Sequence, residues 1–153
     1  MKHTHFSLFV LFLFVVTLGC GGGQRAIKTE FIEGTITYNG TPVGGASINF
    51  FPVNTGVGNP AYGFTNASGI YRIQTALGAP DRGTTPGEYV VTVSKSEGFR
   101  TGRFITDEEG NRLEEYDTRS VLPEIYGDPT TSPFRATVVS GRNTFDFDLV
   151  DNP

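Results

Sequence analysis

Any chemistry this chain performs must come from carboxylates, hydroxyls and one thiol. Its two histidines, His3 and His5, lie in the first five residues, and its single cysteine is Cys20. Beyond Cys20 no imidazole remains, so Ser–His and Cys–His nucleophile schemes lack their usual general base. One thiol forms no internal disulfide, and structural zinc needs several ligands. No metal, no cofactor and no catalytic residue are expected. Two acidic groupings are the remaining candidates. Asp146 and Asp148 stand two apart, about 6.6 Å along an extended strand. Such a pair could bind a cation or serve sugar hydrolysis. Their alternation with Phe145, Phe147 and Leu149 instead predicts the solvated face of a strand. The denser grouping is "TDEEGNRLEEYD", Thr106 to Asp117. Asp107, Glu109, Asn111, Glu114, Glu115 and Asp117 offer the oxygens calcium prefers. Gly110 is the fourth residue of that run counted from Asp107, not the sixth that an EF-hand loop requires, and a solvated charged loop is expected. Tyr116 and Tyr126, with Tyr62 and Phe99, are the loop aromatics that could stack on a sugar ring. No tryptophan supports them. Tyr126, between Pro123 and Pro129, is also placed to plug one end of the fold.

The elements that must position these groups begin with "MKHTHFSLFVLFLFVVTLGC". A short basic head precedes an apolar run from Phe6 to Leu18. As a helix that run spans about 20 Å, short of the roughly 30 Å of a bilayer core. It reads as the apolar region of a signal peptide. Thr17-Leu18-Gly19-Cys20 resembles the lipobox of bacterial lipoproteins, with Thr17 where that family usually has leucine. The resemblance implies cleavage between Gly19 and Cys20 and lipidation of the Cys20 thiol. Residues 1–19 are then the signal peptide, and residues 20–29 the lipidated cysteine and a flexible tether built on Gly21-Gly22-Gly23. The chain from Cys20 onward holds 11 basic and 16 acidic side chains, a net of −5. That excludes a protein living on nucleic-acid phosphates.

Residues 30–150 read as one all-β domain. The chain has 20 glycines and 9 prolines, and its apolar content is dominated by residues that suit a pleated surface. Phe31 to Tyr38 alternates, with Ile32, Ile36 and Tyr38 on one face. Asn39-Gly40 is a hairpin-turn signal. Ala46 to Phe51 places Ala46, Ile48 and Phe50 inward. Ala61 to Thr65 is a short strand, and Ile70 to Thr75 returns with Tyr71 and Ile73 inward. A loop over Gly78 to Pro86 precedes Gly87 to Ser94, where Tyr89, Val91 and Val93 share a face. Phe134 to Val139 and Asn143 to Val150 complete seven strands. Residues 95–133 show no sustained period beyond a small hairpin from Phe104 to Leu113. A connection of that length is functional or mobile.

Three stretches carry a resemblance. "EGTITYNGTPVGGASINFFP", "GFTNASGIYRI" and "TTPGEYVVTVSK" are similar to the turn and strand motifs of carboxypeptidase regulatory-like domains. Those domains have a transthyretin- or prealbumin-like fold. "LPEIYGDPTTSPFRATVVSGRNTFDFDL" is similar to the tails of small bacterial lipoproteins carrying that domain. The resemblance implies a seven-stranded antiparallel Greek-key sandwich that is generally non-catalytic. A urate-pathway hydrolase shares the fold but relies on histidines, which this domain lacks.

The expected protein is an exported module held at the cell envelope by an N-terminal lipid. Its role is binding or structural, not enzymatic, and its partner is an envelope protein or a glycan. The alternatives are a carbohydrate- or calcium-binding accessory module and, behind them, a carboxylate-dependent hydrolase.

Overall fold

A computed structural model describes residues 28–54, 56–75 and 83–151. The expected signal peptide, Gly19, Cys20 and most of the tether lie outside them, as do residues 78–82 of the expected loop. The described chain is all-β, with a single 3-10 turn at Glu124–Tyr126. None of its helical segments is long and apolar enough to cross a membrane.

Two sheets face each other across one apolar core. The first is built on β1 (Phe31–Tyr38). β1 pairs antiparallel with β2 (Thr41–Pro42) and β5 (Ile70–Arg72) on one side, and parallel with β11 (Arg142–Thr144) and β12 (Phe147–Leu149) on the other. The second runs β10 (Arg135–Val138), β7 (Gly87–Ser94), β3 (Ser47–Pro52), β4 (Ala61–Phe64), β6 (Gln74–Thr75), all antiparallel. Between the sheets lie Ile32, Ile36, Ile48, Phe50, Tyr71, Ile73, Tyr89, Val91, Val93 and Leu149, each essentially without solvent contact. The inward residues expected from alternation are buried, Ala46 and Phe147 with them, apart from Tyr38 and Phe145, which are half-buried against the core.

Local chemistry explains the joints. Asn39 and Gly40 both take positive φ, 49° and 74°, the conformation a two-residue hairpin turn demands. The segment Ile70–Thr75 serves both sheets: Ile70–Arg72 pairs with β1, then Gln74–Thr75 crosses to β4. Gly34 is required where β1 meets Phe145. A Cβ there would stand 1.7 Å from the Phe145 carbonyl oxygen.

Two expectations need correction. The strand expected over Asn143 to Val150 is broken at Phe145 and Asp146 into β11 and β12, and its pairing with β1 is parallel. At the break the ladder is replaced piecewise. The Phe145 amide donates to the Glu33 carbonyl at 3.0 Å, the Thr35 amide donates to Asp146 Oδ1 at 2.8 Å, and the Tyr71 hydroxyl donates to the Phe145 carbonyl at 2.7 Å. Burial pushes the Tyr71 hydroxyl's pKa well above its usual value, and the nearby Asp146 charge adds to this. The second correction concerns residues 95–133. The small hairpin expected from Phe104 to Leu113 is there, but it is the tip of a longer one: β8 (Ser96–Thr106) and β9 (Arg112–Ser120) form a long antiparallel hairpin.

Candidate functional site

The hairpin β8–β9 is an arm. Its strands pair with each other and with no other strand of the described residues. Eleven residues in β8 reach about 36 Å when extended. Nearly every side chain on it is exposed. An isolated two-stranded ribbon is marginal in water, so what holds this one has to be found within it.

Its register gives the answer. Pairing runs from Ser96 opposite Ser120 to Thr106 opposite Arg112, with a bulge between Arg100 and Phe104 where Thr101, Gly102 and Arg103 oppose Glu115. Arginines lie over aromatic rings on both faces: Arg112 over Phe104 at 4.0 Å, Arg100 over Tyr116 at 5.7 Å and Arg119 over Phe99 at 5.7 Å. Arg100 pairs with Glu114 at 3.1 Å and Arg103 with Glu115 at 3.5 Å. Thr101 Oγ1 donates to the Glu115 carboxylate at 2.8 Å. Exposed cation–π contacts contribute about 0.5–1 kcal/mol each and exposed ion pairs less. The ribbon is therefore laced together from many small terms, with no core of its own.

The tip is closed by Asp107. Its two carboxylate oxygens accept from the Asn111 backbone and side-chain amides at 2.7 and 3.0 Å. Those bonds, the side-chain amide's foremost, hold the Asp107 carboxyl below its usual pKa. The base is fixed by the body. The Val121 amide donates to the Lys95 carbonyl at 3.0 Å, Leu122 is buried, and Tyr126 is 1% exposed. The Tyr126 hydroxyl donates to the Val150 carbonyl at 3.1 Å and accepts from the Val150 amide at 3.0 Å, while its ring stacks on Phe134 at 5.0 Å.

The expected site residues are thereby sorted. Tyr126 does not belong with the exposed aromatics, because it plugs the core beneath the arm. Tyr116 and Phe99 are exposed on opposite faces of the arm. The expected oxygen ligands are dispersed. Asp107 and Asn111 satisfy each other, Glu114 lies on one face, and Glu115 and Asp117 on the other. Glu109 stands in the turn, outside both strands. Among the described residues no three His, Cys, Asp or Glu side chains gather to hold a metal ion. Asp146 and Asp148 are occupied structurally: Asp148 Oδ1 accepts from Thr37 Oγ1 at 2.6 Å and from the Gly40 amide at 3.3 Å. A groove of about 430 Å³ lined by Phe64, Asn66, Ile70, Tyr71, Arg72 and Gln74 holds no carboxylate. A second, of about 250 Å³, has Glu88 alone. Sequence reasoning missed the exposed apolar residues Ile105 and Leu113 as members of one surface. Their signal was pairing outward from the Asp107–Asn111 turn, which places Ile105 opposite Leu113.

The arm and the start of the described chain lie at opposite ends of the body. The Glu30 amide bonds the Thr84 carbonyl at 2.7 Å just before β7, and the Gly141 amide bonds Glu30 at 2.8 Å. At the other end the Asn39 amide bonds Leu149 at 2.8 Å, and the chain leaves β7 into the arm at Lys95.

Comparisons with known proteins add little. No family model matches the chain, and no curated protein does. Among solved structures a 9R-lipoxygenase from Cyanothece PCC8801 is similar at a TM-score of 0.37 and 12% identity, over 80% of this chain and 16% of the lipoxygenase. A likeness that weak carries no argument about fold or function.

Proposed function

We propose that this protein is an exported, lipid-anchored, non-catalytic module of the cell envelope whose arm β8–β9 is its contact surface. The lipid on Cys20 is the membrane partner in this reading, and an envelope protein is the other. A Greek-key, prealbumin-like order of a seven-strand core belongs to the same reading, with the parallel pairs of β1 as its departure. The observation that carries the role is the arm itself. It exposes Phe99, Phe104, Ile105, Leu113 and Tyr116 outside the core that keeps the protein folded. With Lys28 at one end of the body and the arm at the other, a lipid before residue 28 would leave the arm facing away from its membrane.

Two measurements test this. Mass spectrometry of the native N-terminus should find Cys20 as the first residue, carrying acyl chains, and Cys20→Ala should move the protein out of the membrane fraction. An untrimmed Met1 would end the envelope reading. Replacing residues 97–119 with a two-glycine turn should leave the domain folded and abolish its contacts in the envelope. The carbohydrate alternative draws on Tyr116, 60% exposed. Titration with a glycan panel separates it, since a binding heat that Tyr116→Ala removes would favour the glycan.

A further inference from the structure

Resting on the arm as contact surface, we propose that its occupant is a second copy of this chain, joined antiparallel through the free edge of β9 about a two-fold axis at Leu113. Among the described residues β9 pairs only with β8, so its other edge presents N–H and C=O groups unpaired by any described strand. Of the two free edges, that of β8 is interrupted by the bulge at residues 101–103, and bulges hinder edge pairing. β9 runs unbroken from Arg112 to Ser120.

Side-chain complementarity selects the register. In an antiparallel pair, facing residues share a face of the sheet, and a two-fold interface repeats every contact twice. Placing the axis at Leu113 sets Leu113 against Leu113 of the second copy. It sets Arg112 against Glu114 of the second copy, twice, and Asn111 against Glu115. Centring on Tyr116 would oppose Glu115 to Asp117, and centring on Glu114, Glu115 or Asp117 would oppose a carboxylate to itself; centring on Thr118 would set Asp117 against Arg119 twice but leave the exposed Leu113 and Ile105 outside the join. Within each arm Ile105 faces Leu113, and both are about half exposed. The join at Leu113 therefore lines up Ile105, Leu113, Leu113 and Ile105 across four strands. On the other face Phe104 and Glu114 of one copy continue into Arg112 and Thr106 of the next. Over Arg112–Glu114 the two ribbons join into one four-stranded sheet, which supplies there the strand number that an isolated ribbon lacks. Because the contact is at the tips, the two bodies stay far apart.

The test uses the full-length chain in its host membrane, with photoreactive benzoylphenylalanine in place of Leu113. Irradiation should give a band at twice the chain mass, and the same label at Val57, at the far end of the body, should not. Either Arg112→Glu or Glu114→Arg alone should weaken the band about fivefold or more, since each opposes like charges twice. The two together should restore it. Restoration separates the interface from the arm's own fold, because the double variant does not return the Arg100–Glu114 pair. A band at any other mass overturns the second copy while leaving the arm as a contact surface. No band from Leu113, or failure of the double reversal to restore one, overturns the proposal as well.

Discussion

The body and the arm are both β-structure, but they are stable for opposite reasons. In the body the main strands have one face in an apolar core, where Phe50 packs edge-on to Tyr89 at 5.9 Å and against Phe145 at 6.1 Å. In the arm both faces meet solvent, and the strands are held by main-chain pairing, stacked guanidiniums and ion pairs. Burial gives a few large terms; exposure gives many small ones. Substitutions should divide along the same line.

The largest effect belongs to the core. Phe50→Ala should cost about 3–5 kcal/mol in denaturant unfolding, a large part of the 5–15 kcal/mol typical of a domain. Tyr116→Ala on the arm should cost no more than about 0.5 kcal/mol. Equal shifts in the two variants would mean that arm and body fold as one unit, and the comparison would break.

Next in size is the joint between β11 and β12. Asp146→Ala removes the acceptor of the Thr35 amide, and an unmade bond of that kind costs about 1–3 kcal/mol. Asp146→Asn should recover much of this, because an amide oxygen can still accept. If Asp146 were instead a catalytic or cation-binding carboxylate, its removal would leave stability unchanged, so equilibrium unfolding of the two variants decides.

The same division explains what could be read from the chain. Alternation in "FIEGTITY" and "GEYVVTVS" reports one buried face, and the strands β1 and β7 follow its limits. In "SEGFRTGRFIT" no face is buried, so nothing imposes a period of two, and the strand is invisible to that test. Only the Asp107–Asn111 turn betrays it. The broken last strand was hidden for a different reason. Phe145, Phe147 and Leu149 keep the inward alternation while Asp146 replaces a ladder bond with its side chain, a substitution that residue types do not announce. The acidic cluster was legible in composition, but its ligands were scattered by the pleat, which sends Glu114 and Glu115 to opposite faces.

Excising the arm sharpens the comparison further. Ser96 faces Ser120 at its base, so a Gly-Gly turn between them fits a two-residue hairpin. The shortened protein should unfold within about 1 kcal/mol of the intact one. In the intact protein, amides of β8 and β9 should exchange with solvent far faster than those of β3 and β7, because local opening needs no core to be broken. Global protection in the arm would show that something covers it.

The smallest effect is local and depends on pH. The Asp107 carboxyl is held below its usual pKa mainly by the Asn111 side-chain and main-chain amides. A depressed folded-state pKa means that the ionised form favours the closed turn. Its contribution is complete above the ordinary carboxylate range, near pH 4, and is lost as pH falls through the lower, folded value. Acidification should therefore loosen the tip locally; in the body the lowered carboxyls, Glu30, Asp128 and Asp151, lie outside the apolar core. The Asn111 amide resonance should move and broaden below about pH 4 while those of Val91 and Val93 stay fixed. In Asp107→Asn that transition should vanish, leaving the turn weaker at neutral pH. If Asn111 titrates unchanged in the variant, another carboxylate governs the tip, and Glu108 or Glu109 becomes the group to replace.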